Sequence, residues 1–81
     1  MKLTIHTPST DVTYFVAWIE INTPMGNYII QEGHAPTILT LSPFKPLIFR
    51  LKTGKQETVT VYHGTIEIKR ESATIIMTVK E

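Results

Sequence analysis

Residues 57–79 read ETVTVYHGTIEIKRESATIIMTV, and apolar and polar side chains alternate along this segment. Val59 and Val61 occupy one parity, whereas Ile66 and Ile68 occupy the other, with polar residues between them. A two-residue period is expected of a β-strand with one buried face and one solvent face. The pattern predicts strands over Glu57–Tyr62, Thr65–Lys69 and Ala73–Val79, with a turn at His63–Gly64.

The rest of the chain follows the same spacing. Segments rich in β-branched and aromatic residues recur about every eight to ten residues, each closed by Gly, Pro or Asn. They predict strands over Lys2–His6, Val12–Ile21, Asn27–Gln31, Thr37–Leu41 and Leu47–Lys52. Val12–Ile21 is apolar at both parities through its middle, which indicates a strand covered on both faces or bent at Ala17. Five prolines and the lack of an apolar stripe at helical spacing argue against a long helix.

These strands define the fold class. So many strands in 81 residues cannot lie in one open sheet, because its apolar face would remain exposed. We predict an all-β protein, a small β-sandwich or flattened barrel of about eight to ten short strands. Residues 1–81 are expected to form a single domain, which at this mass buries about 60% of the surface of its extended chain.

Composition excludes several classes of protein. The chain has no cysteine, so it has no disulfide framework, thiolate zinc site or cysteine nucleophile. Its net charge of +1 is spread without runs of one sign, so no nucleic-acid partner is expected. The longest apolar run, Tyr14–Ile19, is far shorter than the roughly 20 residues of a membrane span, and no signal peptide is recognisable. We expect an intracellular protein that is soluble when isolated.

No group of residues predicts catalysis, and we expect no catalytic residue, metal or cofactor. The serines lie in turn contexts, and neither a nucleophile elbow nor a phosphate-binding loop is present. His6, His34 and His63 could form a three-imidazole metal site, but their spacing favours a strand-end histidine and two turn histidines. Trp18 is interpreted as a core residue. In the alternative interpretation it forms an exposed ligand platform with Tyr14 or Tyr62.

The sharpest local motif is Gly33-His34-Ala35-Pro36, in which glycine permits a positive φ and proline fixes the exit into the next strand. With this motif, the chain resembles the N-terminal β-sandwich domain of the epsilon subunit of F-type ATP synthases. The resemblance runs nearly end to end and also covers Met1–Ile5, Thr7-Pro8, Leu41-Ser42-Pro43, His63-Gly64 and Ile66-Glu67-Ile68. The chain departs from the family pattern at Glu32, where proline is usual, at Asn27, where an acid is common, and at His63-Gly64-Thr65, where a Gly-Gly pair is usual.

The resemblance implies a non-catalytic rotor subunit of the central stalk, which links the gamma subunit to the c-ring and couples ion translocation to ATP synthesis. By motif position, the gamma-facing residues are His34, Ala35, Pro36 and Leu39, and the c-ring-facing residues are Thr7, Met25, Gly26 and Asn27. It implies peripheral attachment, through the complex alone, at the cytoplasmic face of the inner energy-transducing membrane. Many relatives continue into a C-terminal helical hairpin, whereas this sequence ends at Glu81, so we expect a subunit that does not inhibit ATP hydrolysis. A free-standing ligand-binding or scaffold sandwich is the alternative function.

Overall fold

The computed structural model describes residues 1–79, so the last two residues of the predicted domain lie outside the described part. These residues form seven strands, which confirms the predicted all-β class. The strands are β1 (Lys2–His6), β2 (Asp11–Thr23), β3 (Gly26–Ile30), β4 (Thr37–Leu41), β5 (Lys45–Leu51), β6 (Gln56–Ile68) and β7 (Ser72–Val79).

The strand pairings form a closed path. Strand β1 pairs in parallel with β7 and antiparallel with β2, and the antiparallel pairs β7–β6, β6–β5 and β5–β2 complete the circuit. Strand β3 joins the outside of this circuit on β2, and β4 joins it on β6. The result is a flat molecule of 29 × 26 × 18 Å, as expected of two sheets packed face to face.

A β-bulge at Ala17 lets β2 pair with strands of both sheets. Val16 lies opposite Leu51 and Trp18 lies opposite Arg50, so Ala17 is an extra residue. Before the bulge β2 pairs with β1, and after it with β3 and β5. The buried side chains therefore change parity, from Val16 to Ile19 and Ile21. Of the two alternatives that the sequence left open for Val12–Ile21, the structure shows the bend at Ala17, which explains the apolar residues at both parities.

Strand β6 corrects the prediction of two strands separated by a turn at His63–Gly64. It runs unbroken from Gln56 to Ile68, and Tyr62 is its extra residue, because Val61 lies opposite Val79 whereas His63 lies opposite Thr78. The bulge changes the parity of the buried residues without reversing the chain. For this reason the described residues contain seven strands and not eight to ten.

The core lies inside the closed path, and each of the seven strands contributes at least one buried side chain to it. Strand β3 contributes only its last residue, Ile30. Its largest fully buried side chains are Phe49, Leu3, Ile19, Ile21, Ile30, Leu47, Ile66, Ile68, Ile75 and Val16. Trp18 is not among the core residues and is half-buried, because the bulge turns it to the opposite side of β2 from Ile19. The interpretation of Trp18 as a core residue is therefore wrong.

Gly64 is required by close packing between β6 and β7, and this gives a stability test. A Cβ at position 64 would lie 2.7 Å from Met77 Cβ and 2.9 Å from the Ile76 carbonyl oxygen. We expect Gly64→Ala to lower the free energy of unfolding by about 3 kcal/mol, because the backbone of β7 must move. Gly33→Ala is the matched control, since Gly33 has a φ of 89° but open space around it, and we expect about 1 kcal/mol there. Urea unfolding measures both, and an equal or smaller loss for Gly64→Ala would contradict the packing argument.

Candidate functional site

Nine large apolar side chains are exposed on the surface of the described residues, and four of them lie between positions 25 and 38. The nine are Val12, Phe15, Met25, Tyr28, Ile29, Ile38, Phe44, Tyr62 and Ile76. The 25–38 segment contains the β2–β3 turn, the edge strand β3, the loop with the glycine-histidine motif and the start of β4. Exposed apolar residues on and beside the two outer strands make this segment the first candidate for contact with another molecule.

The loop Gly33-His34-Ala35-Pro36 has a fixed shape. Gly33 has a φ of 89°, and its N–H donates to the Arg70 carbonyl at 2.6 Å. The His34 backbone N–H donates to the Gln31 carbonyl at 3.2 Å. The His34 Nδ1 lies 2.8 Å from the Ala35 carbonyl oxygen, and because this oxygen can only accept, the Nδ1–H tautomer makes the hydrogen bond. His34 is half-buried, whereas Ala35 and Pro36 are exposed. The loop therefore presents a preformed surface that needs little ordering on binding.

On β4, the exposed residue next to this loop is Ile38. Leu39 is half-buried, packs against the core and lies opposite Ile66, so its side chain points inward. Ile38 is 69% exposed and lines a groove of about 450 Å³ with Pro36, Glu67 and Lys69. Sequence analysis missed Ile38, although the buried parity of Leu41 on the same strand would have identified it as an outward residue.

The β2–β3 turn is organised by Thr23 and Asn27. Thr23 Oγ1 donates to the Gly26 carbonyl at 3.0 Å and accepts from the Met25 N–H at 3.1 Å. The Asn27 side-chain amide donates to Glu20 Oε2 at 3.2 Å and to Asn22 Oδ1 at 3.3 Å. Met25 projects from the tip and is 83% exposed. A carboxylate, that of Glu20, thus lies beside position 27 although residue 27 itself is not acidic.

Thr7 lies in a different turn from the other three residues of the predicted c-ring-facing set. Its N–H donates to the Thr10 carbonyl at 2.8 Å in the turn before β2, whereas Met25 lies in the turn after β2, and Gly26 and Asn27 begin β3. Thr7 and His63 line one groove of about 490 Å³, together with Pro8 and Ile76. The structure therefore divides the four residues into two groups.

An exposed aromatic cluster is formed by Phe44, Tyr62 and His63. A series of neighbouring residues that includes this cluster connects the groove beside Thr7 with the β2–β3 turn. The Phe44 and Tyr62 rings meet edge to face at 4.9 Å, and those of Tyr62 and His63 at 5.5 Å. Near Phe44, the carbonyl of Pro46 accepts a hydrogen bond from the side chain of Asn22, next to the β2–β3 turn. Sequence analysis missed this cluster, because its members come together only through the pairing of β5 with β6.

The three histidines lie apart from one another. His6 Nδ1 bonds the Asp11 carboxylate, His34 lies in the β3–β4 loop, and His63 lies at the β6 bulge. No cluster of three or more metal-ligating side chains occurs within residues 1–79. The Tyr14 and Phe49 rings pack at a tilt of 47° with their centroids 4.8 Å apart, and Tyr14 lies against the core, so it is not available for an exposed platform. The described residues also include no helix with the length and hydropathy of a membrane span.

Comparisons with known proteins agree with this geometry. The family model described as "ATP synthase, Delta/Epsilon chain, beta-sandwich domain" matches residues 1–80. No curated protein sequence is significantly similar to the chain.

Among the solved structures that share the fold, two are chains of mitochondrial ATP synthases. One is a chain of the Tetrahymena thermophila mitochondrial ATP synthase central stalk and c-ring, with a TM-score of 0.81 and 19% identity, covering 96% of this chain and 63% of that one. The other is a chain of the Euglena gracilis mitochondrial ATP synthase assembly of OSCP, F1 and c-ring, with a TM-score of 0.77 and 22% identity, covering 98% and 49% respectively. This chain therefore spans about half to two thirds of the length of these proteins.

Fold and surface together define a small β-sandwich whose exposed apolar edges and rigid loops are suited to contacts with other proteins. The chain belongs to the family of β-sandwich domains of ATP synthase delta/epsilon chains, because the family model covers nearly all of it.

The position of Glu20 beside Asn27 predicts the effect of an acid at position 27. Asn27→Asp replaces a hydrogen-bond donor 3.2 Å from the Glu20 carboxylate with a second negative charge. We expect a loss of about 1 kcal/mol of unfolding free energy at pH 7.

Urea unfolding at pH 7 measures this effect, with Asn27→Asp in a Glu20→Gln background as the control. The loss at pH 7 should be smaller in that background. An equal loss in both backgrounds would show that the two side chains do not interact.

Proposed function

We propose that this chain is a non-catalytic rotor subunit of the central stalk of an F-type ATP synthase, where it links the gamma subunit to the c-ring and couples ion translocation to ATP synthesis. The observation that carries this proposal is the family match over residues 1–80, on a domain whose surface is apolar at its edges. Two ATP synthase chains with central-stalk or c-ring parts in their assemblies share the fold. The membrane association is peripheral, through the complex, at the cytoplasmic face of the inner energy-transducing membrane.

The gamma-facing surface in this proposal consists of the His34-Ala35-Pro36 loop and the outer side of β4. The loop is rigid, so binding orders few groups. Ile38 offers an exposed apolar anchor beside a groove, a geometry typical of residues that dominate binding energy. Leu39 supports this surface from beneath, since it packs on the core.

The c-ring-facing surface in this proposal includes the tip of the β2–β3 turn, with Met25, Gly26 and the side chain of Asn27, whose backbone groups lie on the free edge of β3. Thr7 belongs to it only if the contact extends across the aromatic cluster. Non-catalytic action is supported by what the surface offers, which is apolar side chains and fixed loops suited to transmitting force between partners. Large apolar contacts are typical of permanent subunit interfaces.

Calorimetric titration of the chain into the gamma subunit of the same enzyme tests the proposal. We expect tight binding by the unchanged chain and binding at least about tenfold weaker for Ile38→Glu, because a carboxylate would be desolvated at the anchor position. Ile38 is a better position than Leu39, since Leu39→Glu would also place a charge against the core.

Thr58→Glu is the matched control, because it adds the same charge at an exposed strand position distant in sequence from the loop and β4. It should bind within about twofold of the unchanged chain. Absence of binding between two folded proteins would contradict the rotor function, and equal affinities for both variants would remove β4 from the interface.

A further inference from the structure

Strand β3 has one side that no other strand covers. It pairs with β2 along its full length, and the described strands make no other contact with it. An unpaired strand edge presents a row of backbone N–H and C=O groups that another extended chain can satisfy. The free edge of β3 is therefore a template for an added strand.

The hydrogen bonds of β2 show which groups of β3 point to this free edge. The Asn22 carbonyl accepts from the Ser42 N–H, so it points away from β3. Hydrogen-bonded and non-hydrogen-bonded pairs alternate in an antiparallel ladder, so Asn22–Asn27 and Glu20–Ile29 are non-hydrogen-bonded pairs. The N–H and C=O groups of Asn27 and Ile29 therefore point outward.

Strand β3 is short, but it carries none of the charges, prolines or bulges that usually block edge pairing. Its sequence Gly-Asn-Tyr-Ile-Ile contains no charge and no proline, and its register with β2 is continuous. Ile29 is 57% exposed and Tyr28 is 37% exposed, so side chains on both faces would gain cover from a neighbour. The other outer strand, β4, is more restricted, because Pro36 and Pro43 flank it and its far end contacts β2.

The length of β3 argues against a second copy of this chain as the occupant. Five residues extend only about 17 Å, too short to bury the roughly 800 Å² per partner of a stable interface. A segment of a protein that is already held at a neighbouring surface needs no such area, because its effective concentration is high. Strand β3 leads directly into the His34-Ala35-Pro36 loop, the gamma-facing surface of the proposed function.

We propose that β3 accepts an extended segment of the gamma subunit, which adds a strand to the free edge through the backbone groups of Asn27 and Ile29. This inference rests on the proposed function. The segment carries an apolar side chain beside Ile29, whose exposed surface it covers. Because Glu20 is the sole charged residue between positions 19 and 30, a lysine or arginine within its reach completes the match.

Amide hydrogen exchange, resolved by residue, tests the proposal on the unchanged chain with and without the gamma subunit. In the free chain, the Asn27 and Ile29 amides should exchange fast, and those of Tyr28 and Ile30 should be protected by β2. In the complex, we expect exchange at Asn27 and Ile29 to slow by at least about 100-fold. If the complex forms but these two amides exchange as before, strand addition is wrong while the rotor function stands.

Two further outcomes would overturn the proposal, one by excluding the gamma subunit and one by identifying a second copy of this chain as the occupant. If no complex forms, the proposed function fails and this inference fails with it. If Asn27 and Ile29 become protected in the free chain as its concentration rises, and the gamma subunit adds nothing, the occupant is a second copy and the proposal is overturned.

A pair of variants tests the backbone contribution. Ile29→Pro removes an outward N–H and leaves the bonds to β2 in place, which an edge strand tolerates, whereas Ile29→Ala removes only the side chain. We expect the proline variant to bind the gamma subunit about tenfold more weakly than the alanine variant, with both chains folded by circular dichroism. Equal affinities would overturn the proposal.

Discussion

The whole fold depends on two β-bulges, at Ala17 in β2 and at Tyr62 in β6. Each inserts one residue midway along a 13-residue strand and so sends its buried side chains to the opposite parity. A straight strand would keep one face on one core, and its second half would expose apolar residues such as Ile19 or Ile66. With the bulges, each long strand contributes to both sheets, and the pairing path β1–β7–β6–β5–β2 returns to β1.

Closure of this path also determines where the protein can bind others. Among residues 1–79, five strands have both edges at least partly paired, so the strands with a free edge in this part of the chain are β3 and β4. Four of the nine exposed large apolar residues lie on or beside these two strands, where no second neighbouring strand among the described residues covers them. The core therefore stabilises the central strands, whereas the outer strands are left for partners. A small domain of this kind has only a few kcal/mol of net stability, and covering its edges in a complex would add to it.

Alternation along the sequence was sufficient to predict the all-β class and the segments that form strands. The both-parity run around Ala17 reduced Val12–Ile21 to two alternatives, one of which was the bend. The prediction of a turn at His63–Gly64 was wrong. A change in the parity of the apolar residues can result from a turn or from a bulge, and a glycine is compatible with both. Here Gly64 is needed for its close approach to Met77 and not for a turn. The glycine-histidine motif located the rigid loop, but its neighbour Ile38 and the cluster around Phe44 depend on register between distant strands, which the local pattern does not contain.

Phe44 shows how the pairing of β5 with β6 places an aromatic side chain on the surface. It is the sole non-glycine residue with positive φ among residues 1–79, at 62°, a conformation that costs about 1 kcal/mol or more. Its edge-to-face contact with Tyr62 supplies about 0.5–1.5 kcal/mol, enough to offset that cost. The bulge at Tyr62 thus both closes the fold and holds an exposed phenylalanine in place. Because this surface is aromatic and not charged, a contact across it depends on apolar burial and shape, and salt should affect it little.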